Sequence, residues 1–121
     1  MVGALLDTNI LIDYLNGVEA AKAELDRYSD KAISLITWME VMVGATAETE
    51  NSMKGFLKGF TNLPINSSIA EAAVLLRQQY KIKFPDAIIW ATAQKNGRIL
   101  VTRNHKDFPS HEPGVRIPYH Q

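Results

Sequence analysis

Val2-Gly3-Ala4-Leu5-Leu6-Asp7-Thr8-Asn9-Ile10-Leu11-Ile12 is the stretch on which the reading of this chain turns. The apolar run 2–6 does not alternate, which is the pattern of a strand covered on both faces. Asp7-Thr8-Asn9 breaks the run at once. Ile10-Leu11-Ile12 and Tyr14-Leu15 then open a helix that Asn16-Gly17 stops. A buried strand feeding directly into a helix leaves an acidic residue, Asp7, at the strand's carboxyl end.

The alternation continues outward from there. Helical spacing of Ala21, Leu25 and Tyr28 predicts a helix over 18–28, and a second short strand follows at 32–35. Trp38, Val41, Met42 and Ala45 form the apolar side of a helix over 37–45. Met53, Phe56, Leu57 and Phe60 do the same over 49–60. Residues 62–65 read as a brief extended piece, and Ser67-Ser68 cap a helix reaching Tyr80. After a loop over 81–84, Pro85 opens a helix to Lys95, closed by Asn96-Gly97. A strand over 98–102, a loop over 103–108 and an edge strand over 115–117 complete the chain. Strands alternating with helices predict an α/β fold with a mainly parallel sheet. In such sheets ligands gather at the carboxyl ends of the strands.

Composition narrows the function. The 121 residues suit one domain, 1–121, and a 46% hydrophobic share supplies a core. Thirteen basic residues balance thirteen acidic ones, so any nucleic-acid site is a local patch. The absence of cysteine excludes disulfides and thiolate metal sites. No apolar run is long enough to span a bilayer, and residues 2–6 are too short for a signal peptide. A soluble, cytoplasmic protein without a membrane partner is expected.

Taken singly, the acidic residues have ordinary readings. Asp7 is a helix N-cap, and Glu40 forms a capping box with Thr37. Asp86 complements a helix dipole, and Asn104 and Asp107 shape a turn. Taken together they differ. Asp7 and Asn104 follow strands on one sheet edge, and Glu40 and Asp86 are expected in opening turns of helices at that rim. Crowded carboxylates repel one another unless a cation sits between them. Oxygen ligands without thiolates select Mg²⁺ or Mn²⁺.

The motifs carry a resemblance. Leu5-Leu6-Asp7-Thr8-Asn9-Ile10-Leu11-Ile12 resembles the opening motif of the PIN-domain family. Ser34-Leu35-Ile36-Thr37-Trp38-Met39-Glu40-Val41 is similar to its second motif, and Pro85-Asp86-Ala87-Ile88-Ile89-Trp90-Ala91-Thr92-Ala93 to its third. Leu100-Val101-Thr102-Arg103-Asn104-His105-Lys106-Asp107-Phe108 is similar to its fourth. Within the family, the VapC-like toxin ribonucleases of toxin–antitoxin pairs match best. The resemblance implies a three-layer sandwich around a sheet of about four to five strands. It also implies Mg²⁺- or Mn²⁺-dependent endoribonuclease activity, 5′-phosphate and 3′-hydroxyl products, an antitoxin partner and a homodimer.

By that resemblance Asp7, Glu40 and Asp86 are the catalytic and metal-ligating carboxylates. The fourth position falls to Asn104 as a ligand or to Asp107, because many family members have Asp where this chain has Asn104. Thr8, Asn9 and Thr102 orient the ligands by hydrogen bonds. Arg103, Lys106, Lys81 and Lys83 flank the motifs and are the candidate RNA-binding cations. Trp90, where a small residue is common, either packs in the core or narrows the approach. His105, His111 and His120 lack zinc spacing. A catalytically weak RNA- or protein-binding module and a housekeeping RNA-processing nuclease are the alternatives. A phosphatase or receiver reading lacks the second aspartate after Asp7-Thr8-Asn9 and an evident lysine.

Overall fold

The computed structural model describes residues 3–120. Strand β1 (Ala4–Leu6) lies at the centre of the sheet and feeds α1 (Thr8–Leu15). There follow α2 (Glu19–Asp26), β2 (Lys31–Ser34), α3 (Leu35–Val43), α4 (Glu50–Leu57) and β3 (Thr61–Leu63). The chain then crosses to the other side of β1 through α5 (Ser67–Tyr80) and α6 (Phe84–Lys95), ending in β4 (Ile99–Val101) and β5 (Val115–Arg116). The order is β3-β2-β1-β4-β5 and every pair is parallel. Pairing of Leu5 with Ala32 and of Leu6 with Val101 sets the register about the centre.

Side chains alternate across this sheet. Leu5 and Leu100 enter one core with Ile69, Ala73, Leu76, Ile89 and Trp90 of α5 and α6. Ala4, Leu6 and Val101 enter the other, with Ile10, Leu25, Val41 and Leu57 of the first four helices. Both faces are covered, which explains why residues 4–6 are apolar without alternation. The expected three-layer α/β sandwich is what the chain forms. Edge strand β5 is tied to α2 by Arg116, whose Nε and Nη2 donate to Glu24 at 2.7 and 3.0 Å. Burial pushes the Glu24 carboxyl up, but the Arg116 and Tyr28 hydrogen bonds outweigh it and hold its pKa low.

Several boundaries move, each for a local reason. Ser34 is the N-cap of α3, its hydroxyl accepting from Ile36 N–H at 3.2 Å, so the helix starts at Leu35 rather than 37. Glu40 therefore lies beyond the opening turn, and it forms no capping box with Thr37, which is fully buried. Asn66, not the serine pair, caps α5 by accepting from Ile69 N–H at 2.9 Å. Lys81 closes that helix with φ 57°, and α6 begins one residue before Pro85. The expected strand start at Val2 lies outside the described residues.

Candidate active site at the carboxyl edge of the sheet

The chain leaves β1 toward β2 on one side, and β4 returns on the other. The carboxyl ends of β1 and β4 thus flank the point where the strand order reverses, the position at which open α/β sheets bind ligands. Asp7 stands there as the first residue after β1, its N–H donating to Val101 O at 2.9 Å. It is only 4% exposed. Its Oδ1 accepts from Thr8 N–H at 2.7 Å, which makes it the N-cap of α1 as well. Its Oδ2 accepts from the Thr102 hydroxyl at 2.7 Å and from Asn9 Nδ2 at 3.2 Å. The Thr102 oxygen in turn accepts from Asn9 Nδ2 and from Asn104 N–H.

Glu40 joins from α3. The Thr8 hydroxyl donates to Glu40 Oε1 at 2.7 Å and stands 2.9 Å from the Thr37 hydroxyl. The Thr8 hydroxyl thus has two acceptors in reach, the Glu40 carboxylate and the buried Thr37 hydroxyl, both on α3. Asp86 is in the first turn of α6. Asn104 and Asp107 bond each other reciprocally: Asn104 Nδ2 donates to Asp107 Oδ2 at 3.0 Å and Asp107 N–H to Asn104 Oδ1 at 3.2 Å.

These acids sense one another. Burial raises the Asp7 pKa to about 6, against the hydrogen bonds from Thr102 and Thr8, and the charges of Asp86 and Glu40 push the same way. Burial also raises Asp86, and the charges of Asp107 and Glu40 add to it, with Lys83 opposing. Among the described residues no lysine, arginine or histidine pairs with any of these acids within 4.0 Å. Nor do three of them stand as an assembled set of metal ligands. The shared property is electrostatic: a rim of carboxylates that no lysine, arginine or histidine among the described residues pairs directly, with Lys83 easing Asp86 only through its charge. Such a donor set fits a hard divalent ion.

Residues 4–111 match the PIN domain family. The chain belongs to the PIN domain family. A toxin–antitoxin complex from Klebsiella pneumoniae contains a chain 51% identical, with a TM-score of 0.93, covering 98% of this chain and 100% of that one. FitAcB from Neisseria gonorrhoeae is 26% identical over 98% of this chain and 99% of that one, with a TM-score of 0.80. DNA-bound VapBC from Salmonella typhimurium is 24% identical over 96% of each chain, with a TM-score of 0.76, and shares the fold. Comparison with curated protein sequences gives no match.

The PIN domain distributes the remaining sequence-predicted residues unevenly. Thr8, Asn9 and Thr102 all bond the acids or their neighbours. Lys83 is the exposed N-cap of α6 and acts on Asp86 through its charge. Lys81 is exposed at the end of α5, and Lys106 is exposed beside Asn104 in a polar pocket. Arg103 lines the same pocket and is also forked onto a carboxylate of α1. Its Nε and Nη2 donate to Asp13 at 2.5 and 3.2 Å. Trp90 packs in the core, 3% exposed, tilted against Tyr80 and edge-on to Phe108.

Sequence reasoning passed over Asp13 and Tyr119. Asp13 is 5% exposed, and its Oδ2 also accepts from the Tyr119 hydroxyl at 2.8 Å. One signal was available. Asp13 lies four residues after Asn9 and so on the same face of α1. Nothing local announces Tyr119, which lies in the irregular segment after β5.

Proposed function

We propose that this PIN domain is a Mg²⁺- or Mn²⁺-dependent endoribonuclease, the VapC-like toxin of a toxin–antitoxin pair. The observation that carries the reading is the Asp7 carboxyl, 4% exposed at the exit of β1 and forming no ion pair among the described residues, where burial and the charges of Asp86 and Glu40 push its pKa up. An acid buried at a strand end beside other acids is costly to keep unless the site works on a cation.

Asp7 and Asp86 are the residues that would hold the ion, with Glu40 and either Asn104 or Asp107 completing its surroundings. When bound, the ion supplies charge relief on the phosphoryl oxygens and eases deprotonation of water. Glu40 orients the attacking water and accepts its proton, with Thr8 fixing the carboxylate. Thr102 and Asn9 hold Asp7 in one rotamer. Water attacks phosphorus, the P–O3′ bond breaks, and the departing 3′-oxygen takes a proton from solvent, giving a 5′-phosphate and a 3′-hydroxyl.

The partner reading rests on the complex from Klebsiella pneumoniae and on α3. There Leu35, Met39 and Val43, four residues apart, are 36%, 44% and 85% exposed. An apolar stripe of that kind suits a protein partner, and we assign an antitoxin and a second copy of the chain as the partners. Among the described residues no helix is long and apolar enough to cross a membrane.

The test is cleavage of labelled structured RNAs with Mg²⁺, with Mn²⁺ and with excess chelator, beside Asp7→Asn protein shown to be folded. Metal-dependent cutting that leaves 5′-phosphate ends and is lost in the variant supports the reading. Cutting that survives both chelator and variant overturns it. Metal binding without cutting of any RNA favours the binding-module alternative.

A further inference from the structure

Next to the acid rim lies a pocket of about 320 Å³ lined by Asn9, Arg103, Asn104, His105 and Lys106. It shares two side chains with the site, because Asn9 bonds Asp7 and Asn104 bonds Asp107. Its wall is held from three segments. Arg103 is forked onto the buried Asp13 of α1. Asp13 also accepts from Tyr119, which fixes the tail. The next residue, His120, is thereby laid on His105, with ring centroids 4.4 Å apart and planes inclined by 25°.

The charges in this pocket are unequal. The Arg103 guanidinium is committed to Asp13. Lys106 forms no ion pair within 4.0 Å among the described residues. Lys106, His105 and His120 are all exposed. A polyanion approaching the rim meets the repulsion of Asp7, Asp86, Glu40 and Asp107, so the cation that admits it has to stand beside them. An exposed aromatic face next to a free ammonium is the pairing by which proteins hold single strands, base on the ring and phosphate on the cation.

We propose that this pocket is a nucleotide subsite for single-stranded RNA, with Lys106 taking a backbone phosphate and the stacked His105–His120 pair taking the adjoining base. The inference rests on the ribonuclease reading and deepens it. A duplex keeps its base faces stacked and offers nothing to the imidazoles, so the subsite selects loops and unpaired segments.

The test is fluorescence anisotropy of a labelled single-stranded RNA, and of the same sequence as a duplex, across a salt series. The protein carries Asp86→Asn so that it does not cut, and each variant is checked by circular dichroism. Lys106→Gln is expected to weaken single-strand binding and to flatten the salt slope by about 0.7. His105→Ala is expected to weaken it roughly 5-fold or more with the slope unchanged, and His105→Phe to restore it. Duplex binding is expected to be insensitive to His105. Parent-like binding by both Lys106→Gln and His105→Ala overturns the subsite. If the unsubstituted protein still cuts RNA in that case, the ribonuclease reading stands without it. If the unsubstituted protein neither binds nor cuts RNA, both readings fall. Unchanged RNA binding with loss of a protein partner reassigns the pocket to that partner and overturns the proposal as well.

Discussion

The Thr102 hydroxyl donates to Asp7 Oδ2 at 2.7 Å, joining the exits of β4 and β1 at the point where the strand order of this parallel sheet reverses. That bond lowers the Asp7 pKa against its burial. Thr102→Val keeps the shape and removes the proton. The Asp7 pKa is then expected to rise above about 6, and the acid limb of the activity profile to move to higher pH. The same change leaves Asn104 N–H without its acceptor, so stability is expected to fall by about 1–3 kcal/mol. A pH–rate profile and urea unfolding read the two effects separately. A lost bond that moves neither would mean that solvent replaces Thr102.

Asp7 also sets a pH dependence of stability. Its folded pKa is about 6 and its ordinary value 3.8, so between these values the folded chain holds a proton that the unfolded chain has lost. Stability is therefore full below pH 3.8 and declines as pH rises through about 6, by up to about 3 kcal/mol from this group. Asp7→Asn still offers an oxygen to Thr8 N–H and carries no charge. It is expected to flatten the decline and to unfold at higher urea than the parent at pH 7. Added Mg²⁺ is expected to stabilise the parent and leave the variant unmoved. Urea titrations at several pH values, with and without Mg²⁺, check all three expectations.

Trp90 gives a prediction for the fold alone. It is buried between Tyr80 and Phe108, so it links α5, α6 and the loop bearing Asn104 and Asp107. Trp90→Ala is expected to cost about 3–5 kcal/mol. Trp90→Phe is expected to recover most of that, because a ring still meets Phe108. Both are measurable by thermal unfolding followed by circular dichroism.

How far the sequence could be read follows the range of the interactions. The strand at residues 4–6, Asp7 after it and Asp86 in the first turn of α6 are local patterns, and periodicity and turn residues disclose them. Glu40 was expected at the right rim for the wrong reason. Ser34 starts α3 early, and Thr8, 32 positions away, holds the carboxylate. Arg103 was legible as a cation beside a motif. Its partner Asp13 is 90 positions away and Tyr119 lies 106 beyond Asp13, pairings that only the assembled sheet creates. The stacking of His105 on His120 is of the same kind.

Arg103 separates an anchoring role from an RNA contact. If the fork on Asp13 is its main work, Arg103→Gln lowers stability by about 1–3 kcal/mol, a few degrees in Tm, because a nearly buried carboxylate loses its charge-assisted partner. The salt slope of RNA binding is then unchanged, since no phosphate contact is lost. An RNA contact would give the reverse, a flattened slope with little change in Tm. Tyr119→Phe supplies the internal comparison. It removes one neutral donor from Asp13, and a cost of about 0.5–1.5 kcal/mol is expected. The double variant is expected to lose less than the sum, because both side chains act on the same carboxylate. Additive losses would place Tyr119 and Arg103 in separate interactions and remove the tail from the support of the site.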